Sequence, residues 1–250
     1  MELYDVMRTT FAAREFTDDP VPDDVLARIF DNARFAPSGG NRQGTHITVV
    51  RDPEARRRLA ELGKAAARRY VAQLQAGENP WNPIHPSRVP QDVIDQTDIP
   101  DTFVAPITNA PVVLVFSVDL TVVASIDQDL ERVGLAGGAS VYPLIWNVLL
   151  AARAEGYGGT ITTMAIAAED QVRRLLGIPD LHAIAAVVPI GKPVRQLTKL
   201  RRRPIAEFIT RDRFDGPAFE GSDEDSARPP GSSPDAAPGS DARSPKRVPR

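Results

Sequence analysis

The stretch Ala36-Pro37-Ser38-Gly39-Gly40-Asn41-Arg42-Gln43 sets two adjacent glycines among side chains able to hydrogen-bond. Two glycines in a row let the backbone approach a flat or anionic ligand closely. Ser38, Asn41 and Gln43 supply donors and acceptors for the edge of a heterocycle or a phosphate. Near the other end, Arg201-Arg202-Arg203-Pro204 gathers guanidinium forks whose geometry suits phosphate. Taken alone, the first segment is a turn and the second a solvated charged run.

Most other chemical motifs fail. No Walker loop is present. Gly156-Tyr157-Gly158-Gly159 approaches a dinucleotide fingerprint, but Ile161 occupies the third glycine position and a strand-like run follows. No G-x-S-x-G elbow exists, which argues against a serine hydrolase. With no cysteine, disulfides, Cys-ligated metal centres and thiol nucleophiles are excluded together. His46, His85 and His182 match no metal-ligand spacing, so no metal is expected. The net charge of −3 excludes binding to nucleic acid or acidic lipid that rests on bulk positive charge.

The elements that must position these residues are legible from periodicity. Asp23–Phe35 reads as a helix with Val25, Leu26, Ile29, Phe30 and Ala33 on one face, and Pro37 follows its end. Asp23 and Asp24 complement the helix dipole at its start. Further helices are expected over Asp52–Leu74, Ser140–Ala154 and Ala168–Leu176. Strands are expected over His46–Val50, Pro111–Val118, Gly158–Thr163 and Ala183–Ile190. Single strands scattered among helices indicate α/β or α+β layering.

Three segments stand apart. Val133–Ala152 runs for twenty residues without a charge, but its Gly, Ser, Pro and Asn content favours a helix buried in the protein or at an interface over a membrane span. Gln75–Pro106 contains six prolines with Trp81, His85 and Phe103 between them, and reads as an ordered excursion or lid. Residues 216–250 hold seven Pro, four Gly and six Ser, the composition of a disordered tail. The folded body is thus expected to end near Asp215. Met1–Phe11 shows no apolar core of a signal peptide, so a cytoplasmic location is expected.

Taken in order, the pieces resemble the nitroreductase family of flavoproteins. Ala13-Arg14-Glu15-Phe16-Thr17 with Pro20-Val21-Pro22 resembles the family's start, and the helix ending in Pro37-Ser38-Gly39-Gly40-Asn41 follows it. The likeness resumes from Asn147 to Gly158, at Ile190-Gly191-Lys192-Pro193, and at Arg202-Arg203-Pro204-Ile205-Ala206-Glu207. It implies an α+β fold, a central mostly antiparallel sheet wrapped by helices, in an intertwined homodimer. It implies FMN as cofactor, with NADPH or NADH as electron donor, in two symmetric sites at the subunit interface. The uncharged helix would be buried by the partner, and the excursion would cover the flavin.

By the same resemblance, Arg14 faces the flavin pyrimidine, where a fixed cation favours the reduced form. Pro37, Ser38, Gly39 and Asn41 belong to a cofactor-contacting turn from one subunit. Ile161, Thr162 and Thr163 lie by flavin N5, where a main-chain N–H can bond. Arg202, with Arg201 or Arg203, meets the FMN phosphate. Thr10, Phe11 and Ala12 depart from the family's two basic residues and Ser, removing part of the phosphate grip. Arg8 or the arginine run is the candidate substitute. Gly44-Thr45 replaces a common Pro-Trp, which widens that side of the pocket.

The implied activity is hydride transfer from the nicotinamide to a nitroaromatic, quinone or similar flat acceptor by ping-pong kinetics. No side chain need act as acid or base, because the cofactor carries the chemistry. Two alternatives remain. One is reductive dehalogenation or other one-electron chemistry, in which Thr162 or Thr163 would act beside N5; the excursion lacks the Glu-x-x-x-Tyr…Lys set of the family's deiodinases. The other is an FMN-binding protein without turnover. Arg88 is a candidate for favouring NADPH by charge.

Overall fold

The computed structural model describes residues 1–220. Four strands form one sheet: β1 (Thr45–Val50), β2 (Val112–Asp119), β3 (Gly158–Gly159) and β4 (His182–Gly191). Their order is β1-β2-β4-β3, and all three strand pairs are antiparallel. β2 is buried along seven of its eight residues, which explains its continuous apolar run. A register shift between Phe116 and Ser117 leaves Ala185 as an extra residue on β4, a β-bulge in the sheet's centre.

Among the described residues, seven α-helices accompany the sheet: α1 (Leu3–Thr9), α2 (Asp23–Ala33), α3 (Pro53–Gln75), α4 (Gln91–Gln96), α5 (Ala105–Asn109), α6 (Tyr142–Ala154) and α7 (Glu169–Leu176). Strand alternation sends Val112, Leu114, Phe116 and Val118 to one face, where they pack on α2 and α6. Val113 and Val115 face the opposite side, against Leu59 of α3, Ile107 of α5 and Val172 of α7. Burial of each large side chain contributes roughly 1.5–3 kcal/mol. The result is the α+β layering expected from the sequence, with helices on both faces of an antiparallel sheet.

Local chemistry sets the helix ends. Asp52 caps α3 by accepting the Ala55 N–H at 2.8 Å, and Pro53 opens the first turn. The uncharged run starting at Val133 is not helical throughout. Its first part is a loop and a 3-10 turn over Ala136–Ser140, and α6 begins only at Tyr142. Gly134, Gly137 and Gly138 disfavour helix there, and Pro143 suits only a first turn. The expected strand Gly158–Thr163 is likewise shorter. Pairing holds at Gly158–Gly159 and returns as an isolated bridge between Thr162 and Val187.

The excursion is ordered around a few polar anchors. The Glu78 carboxylate accepts the Ser87 hydroxyl at 2.6 Å and the Arg88 N–H at 2.7 Å. Asn82 Oδ1 accepts the N–H groups of Ile84 and His85. The Arg69 guanidinium lies 4.4 Å from the centre of the Trp81 ring.

Residues 201–220 belong to a second compact unit. Within it, Ile205–Glu207 makes a 3-10 turn and Thr210 bridges to Ala218. The guanidinium groups of Arg203 and Arg211 lie over the Phe208 and Phe219 rings. Of the tail expected over 216–250, residues 221–250 lie outside the described residues. Among the described residues, no helix is long and apolar enough to cross a membrane.

Candidate active site

The segment Ala12–Thr17 threads between the two glycine-bearing strand ends. Ala13 N–H donates to Gly159 C=O at 3.0 Å, and Thr17 N–H donates to Lys192 C=O at 2.9 Å. The Phe16 ring occupies the space beside Gly191, where a Cβ would come within 2.8 Å of it. These contacts fix the backbone on both sides of Arg14. Its guanidinium has one long hydrogen bond, 3.4 Å to Ala12 C=O, and no ion pair among the described residues. Arg14 is thus a cation on an anchored backbone, without an ion-pair partner among the described residues and available to an anionic ligand.

Beside it runs Thr160–Thr163. Thr162 and Val187 exchange both backbone hydrogen bonds at 2.9 Å. Because successive residues of an extended chain point their N–H groups to opposite sides, those of Ile161 and Thr163 face away from β4. Among the described residues neither has a partner. Backbone donors of this kind normally find one, so they suit a ligand or water. Arg14, Thr160–Met164, Tyr70 of α3 and Phe103 of the excursion line one cavity of about 450 Å³. The structure therefore brings together Arg14, Ile161, Thr162 and Thr163.

Pro37, Ser38, Gly39 and Asn41 lie elsewhere. Ser38 Oγ accepts the Gln43 N–H at 3.0 Å, Ser38 C=O accepts the Asn41 N–H at 2.8 Å, and Gly39 N–H donates to Ser140 Oγ at 3.1 Å. Gly40 and Asn41 both adopt left-handed φ, +60° and +54°. That conformation is routine for glycine and tolerated by asparagine. The turn leads into β1 at Thr45, opposite Val118 and hence near Ala183 of β4. Gly159 instead pairs with Ile190 at the other end of β4, on the opposite edge of the sheet. The two halves of the expected site thus lie on opposite edges of the sheet. Strand spacing and rise put Thr45 and Thr162 on the order of 20 Å apart.

At the N-terminal departure, the Thr10 hydroxyl is buried and donates to Val6 C=O at 2.7 Å. Arg8 is exposed at the end of α1. Arg201 and Arg202 belong to the second unit, where both are exposed and Arg202 donates to Arg201 C=O at 2.7 Å. Arg88 is exposed and held through its backbone by Glu78. Among the described residues no acidic and histidine side chains cluster as for a metal. Tyr70, Thr102, Pro106 and Ile107 line the Arg14 cavity, and Ser140 holds the Gly39 turn; motif reading singled out none of them. Phe103 alone carried a signal, as an aromatic among the prolines of the excursion.

The family model described as the Nitroreductase family matches residues 7–192. The chain belongs to the nitroreductase family. A Thermus thermophilus NADH dehydrogenase is 26% identical over 205 residues, covering 78% of this chain and 89% of that protein. The iodotyrosine deiodinase of Nematostella vectensis is 25% identical over 212 residues, covering 83% and 74% of the two chains. A shorter match, 38% identical over 77 residues, is to a Streptomyces coelicolor protein with the provisional name NADH dehydrogenase/NAD(P)H nitroreductase. It covers 28% of this chain, and the chain spans only 39% of that relative's length. Among solved structures, NfrA2 of B. megaterium superposes with a TM-score of 0.62 at 21% identity, covering 86% of this chain and 76% of that one. The Vibrio harveyi NADPH:FMN oxidoreductase complexed with NAD+ gives 0.59 at 21% identity, covering 89% and 80%. These superpositions establish the family fold.

Proposed function

We propose that the chain is an FMN-dependent oxidoreductase that passes hydride from NADPH or NADH to a flat, electron-poor acceptor, a nitroaromatic or quinone, by ping-pong kinetics. The observation that carries this reading is the single cavity that joins the unpaired Arg14 guanidinium to the outward N–H groups of Ile161 and Thr163. Bound FMN would supply the hydride chemistry. Arg14 would hold negative charge at the pyrimidine side, and a main-chain N–H of Ile161 or Thr163 would hold N5. Thr10, Phe11 and Ala12 lack the family's basic residues for the phosphate, a role the resemblance assigns to Arg202 with Arg201 or Arg203.

The same reading asks for a second copy of the chain. With the Pro37–Asn41 turn at the far edge of the sheet, one chain does not close both halves around one cofactor. A twofold arrangement would bring the partner's turn to this cavity and build two equal sites. The exposed apolar side chains of Leu3, Tyr4 and Met7 on α1, and of Tyr142 and Trp146 on α6, support such an interface.

The relatives named as NADH dehydrogenase and NADPH:FMN oxidoreductase support the donor and cofactor. The likeness to iodotyrosine deiodinases, with the Thr162 and Thr163 hydroxyls at the cavity, favours dehalogenation as a second reading. Residues 76–106 contain no Tyr or Lys with which to hold an amino-acid substrate in the deiodinase manner. The deciding experiment is a visible spectrum followed by anaerobic addition of NADPH and NADH. Bands near about 370 and 450 nm that bleach with a nucleotide, then return with a quinone, are expected. Colourless protein that takes up no FMN would overturn the reading, and bleaching reversed only by a halotyrosine would favour the second.

A further inference from the structure

Building on the flavoenzyme reading above, on which this inference rests, we propose that Tyr70 and Phe103 form the acceptor side of the cavity. The Tyr70 hydroxyl is then the hydrogen-bond donor that selects a flat arene bearing an oxygen acceptor, a nitro group or quinone carbonyl. The cavity has two chemically different walls. One is polar, made by Arg14 and the outward main-chain N–H groups. The other is Tyr70 and Phe103, backed by Pro106 and by Ile107, which is 3% exposed.

This second wall is preformed. Tyr70 projects from α3, whose preceding turn is anchored by the buried Ala66 and Ala67. Phe103 closes a 3-10 turn in which its N–H donates to Pro100 C=O at 3.1 Å and Val104 N–H donates to Asp101 C=O at 2.9 Å. The two rings meet with centroids 5.7 Å apart and planes tilted by 60°, a preferred arrangement for aromatic pairs. Such a pair offers a flat ligand an apolar surface at a defined angle.

The phenol oxygen is the informative atom. Two polar side chains nearby, one in α3 and one in the excursion, have structural partners. Gln73, 2% exposed, accepts the Trp81 N–H, and the Thr97 hydroxyl donates to Val93 C=O at 2.7 Å. Tyr70 is half-buried, yet its hydroxyl has no hydrogen-bond partner among the described residues. Phenylalanine would serve packing equally well there. A hydroxyl on a ring that lines a cavity also lined by a cation is suited to donate to a ligand oxygen.

Acetophenone and ethylbenzene test the assignment, since they share shape and differ in the carbonyl. Each is titrated into FMN-loaded wild type, Tyr70→Phe and Phe103→Leu, with binding read from the flavin absorption bands. Tyr70→Phe is expected to weaken acetophenone about fivefold while leaving ethylbenzene in place, the effect of one lost hydrogen bond. Its KM for a quinone should rise by a similar factor. Phe103→Leu should weaken both probes together. Equal or no change for the two probes in Tyr70→Phe would overturn the assignment while leaving the flavoenzyme reading intact. Failure of wild type to take up FMN would overturn both.

Discussion

Gly39 N–H donates to the Ser140 hydroxyl at 3.1 Å across a separation of 101 residues. This bond ties the Pro37–Asn41 turn to the residues that open α6. The Ser140 carbonyl adds a second tie by accepting the Thr45 hydroxyl at 3.3 Å. Ser140→Ala removes the first tie and keeps the backbone carbonyl of the second. One hydrogen bond of this kind contributes about 1 kcal/mol, so FMN affinity should fall roughly three- to tenfold. A titration of apoprotein with FMN, followed by flavin fluorescence, checks this. An unchanged dissociation constant would show that the turn is positioned without Ser140.

The left-handed φ of Asn41 separates backbone from side chain as the source of its role. Asn41→Gly keeps the conformation and removes the amide. Asn41→Val forces a β-branched residue into a region that costs it roughly 1–3 kcal/mol. If the turn's shape is what matters, the Gly variant keeps FMN uptake and the Val variant loses most of it. Equal losses would assign the role to the Asn41 amide instead, and flavin content per protomer measures both.

Periodicity reveals the residues buried on one side and says little about those that meet across the sheet. The α2 face was legible because Val25, Leu26, Ile29 and Ala33 all enter one core. α1 was not, since its seven residues bury only Val6. Gly158–Thr163 reads as strand because the β-branched residues of Thr160–Thr163 favour extended backbone. Pairing is a tertiary property, however, and of those β-branched residues only Thr162 completes it. Tyr70 looks like any aromatic of an amphipathic helix, and its neighbour Phe103 comes from a separate segment. The motif residues of each half stand out in the sequence; their separation to opposite edges of the sheet required the strand order.

Gly159 is the position where added volume should do most damage. A Cβ there would lie 2.5 Å from Pro189 C=O, 2.6 Å from Ile190 Cδ1 and 3.1 Å from Leu149 Cδ2. None of these can retreat freely, because Pro189 and Ile190 belong to β4 and Leu149 to α6. Gly159→Ala should therefore destabilise by about 1–3 kcal/mol, read as a lower urea midpoint at unchanged slope. Gly159 C=O also receives the Ala13 N–H, so the displaced strand carries Arg14 with it. FMN uptake should fall even at temperatures where the variant stays folded. A variant with wild-type midpoint and uptake would show that the edge strand absorbs the methyl group.

Asp127 gives the fold a specific sensitivity to acid. Its side chain is 5% exposed, and its carboxylate accepts the Leu135 N–H at 2.7 Å, an Arg132 Nη1 hydrogen at 2.8 Å and the Ala136 N–H at 3.2 Å. Those donors, the Leu135 N–H foremost and then the Arg132 guanidinium, hold its pKa down at about 2, from an ordinary 3.8. A depressed folded pKa means the unfolded chain binds the proton more readily. The stabilisation is therefore complete above about pH 4 and is lost as pH falls through about 2. Asp127→Asn cannot satisfy all three donors at any pH. Its melting temperature should be lower at pH 6, and the gap from wild type should narrow between pH 4 and pH 2. A gap that stays constant down to pH 2 would mean that the carboxylate's charge contributes nothing to closing the loop ahead of Ser140.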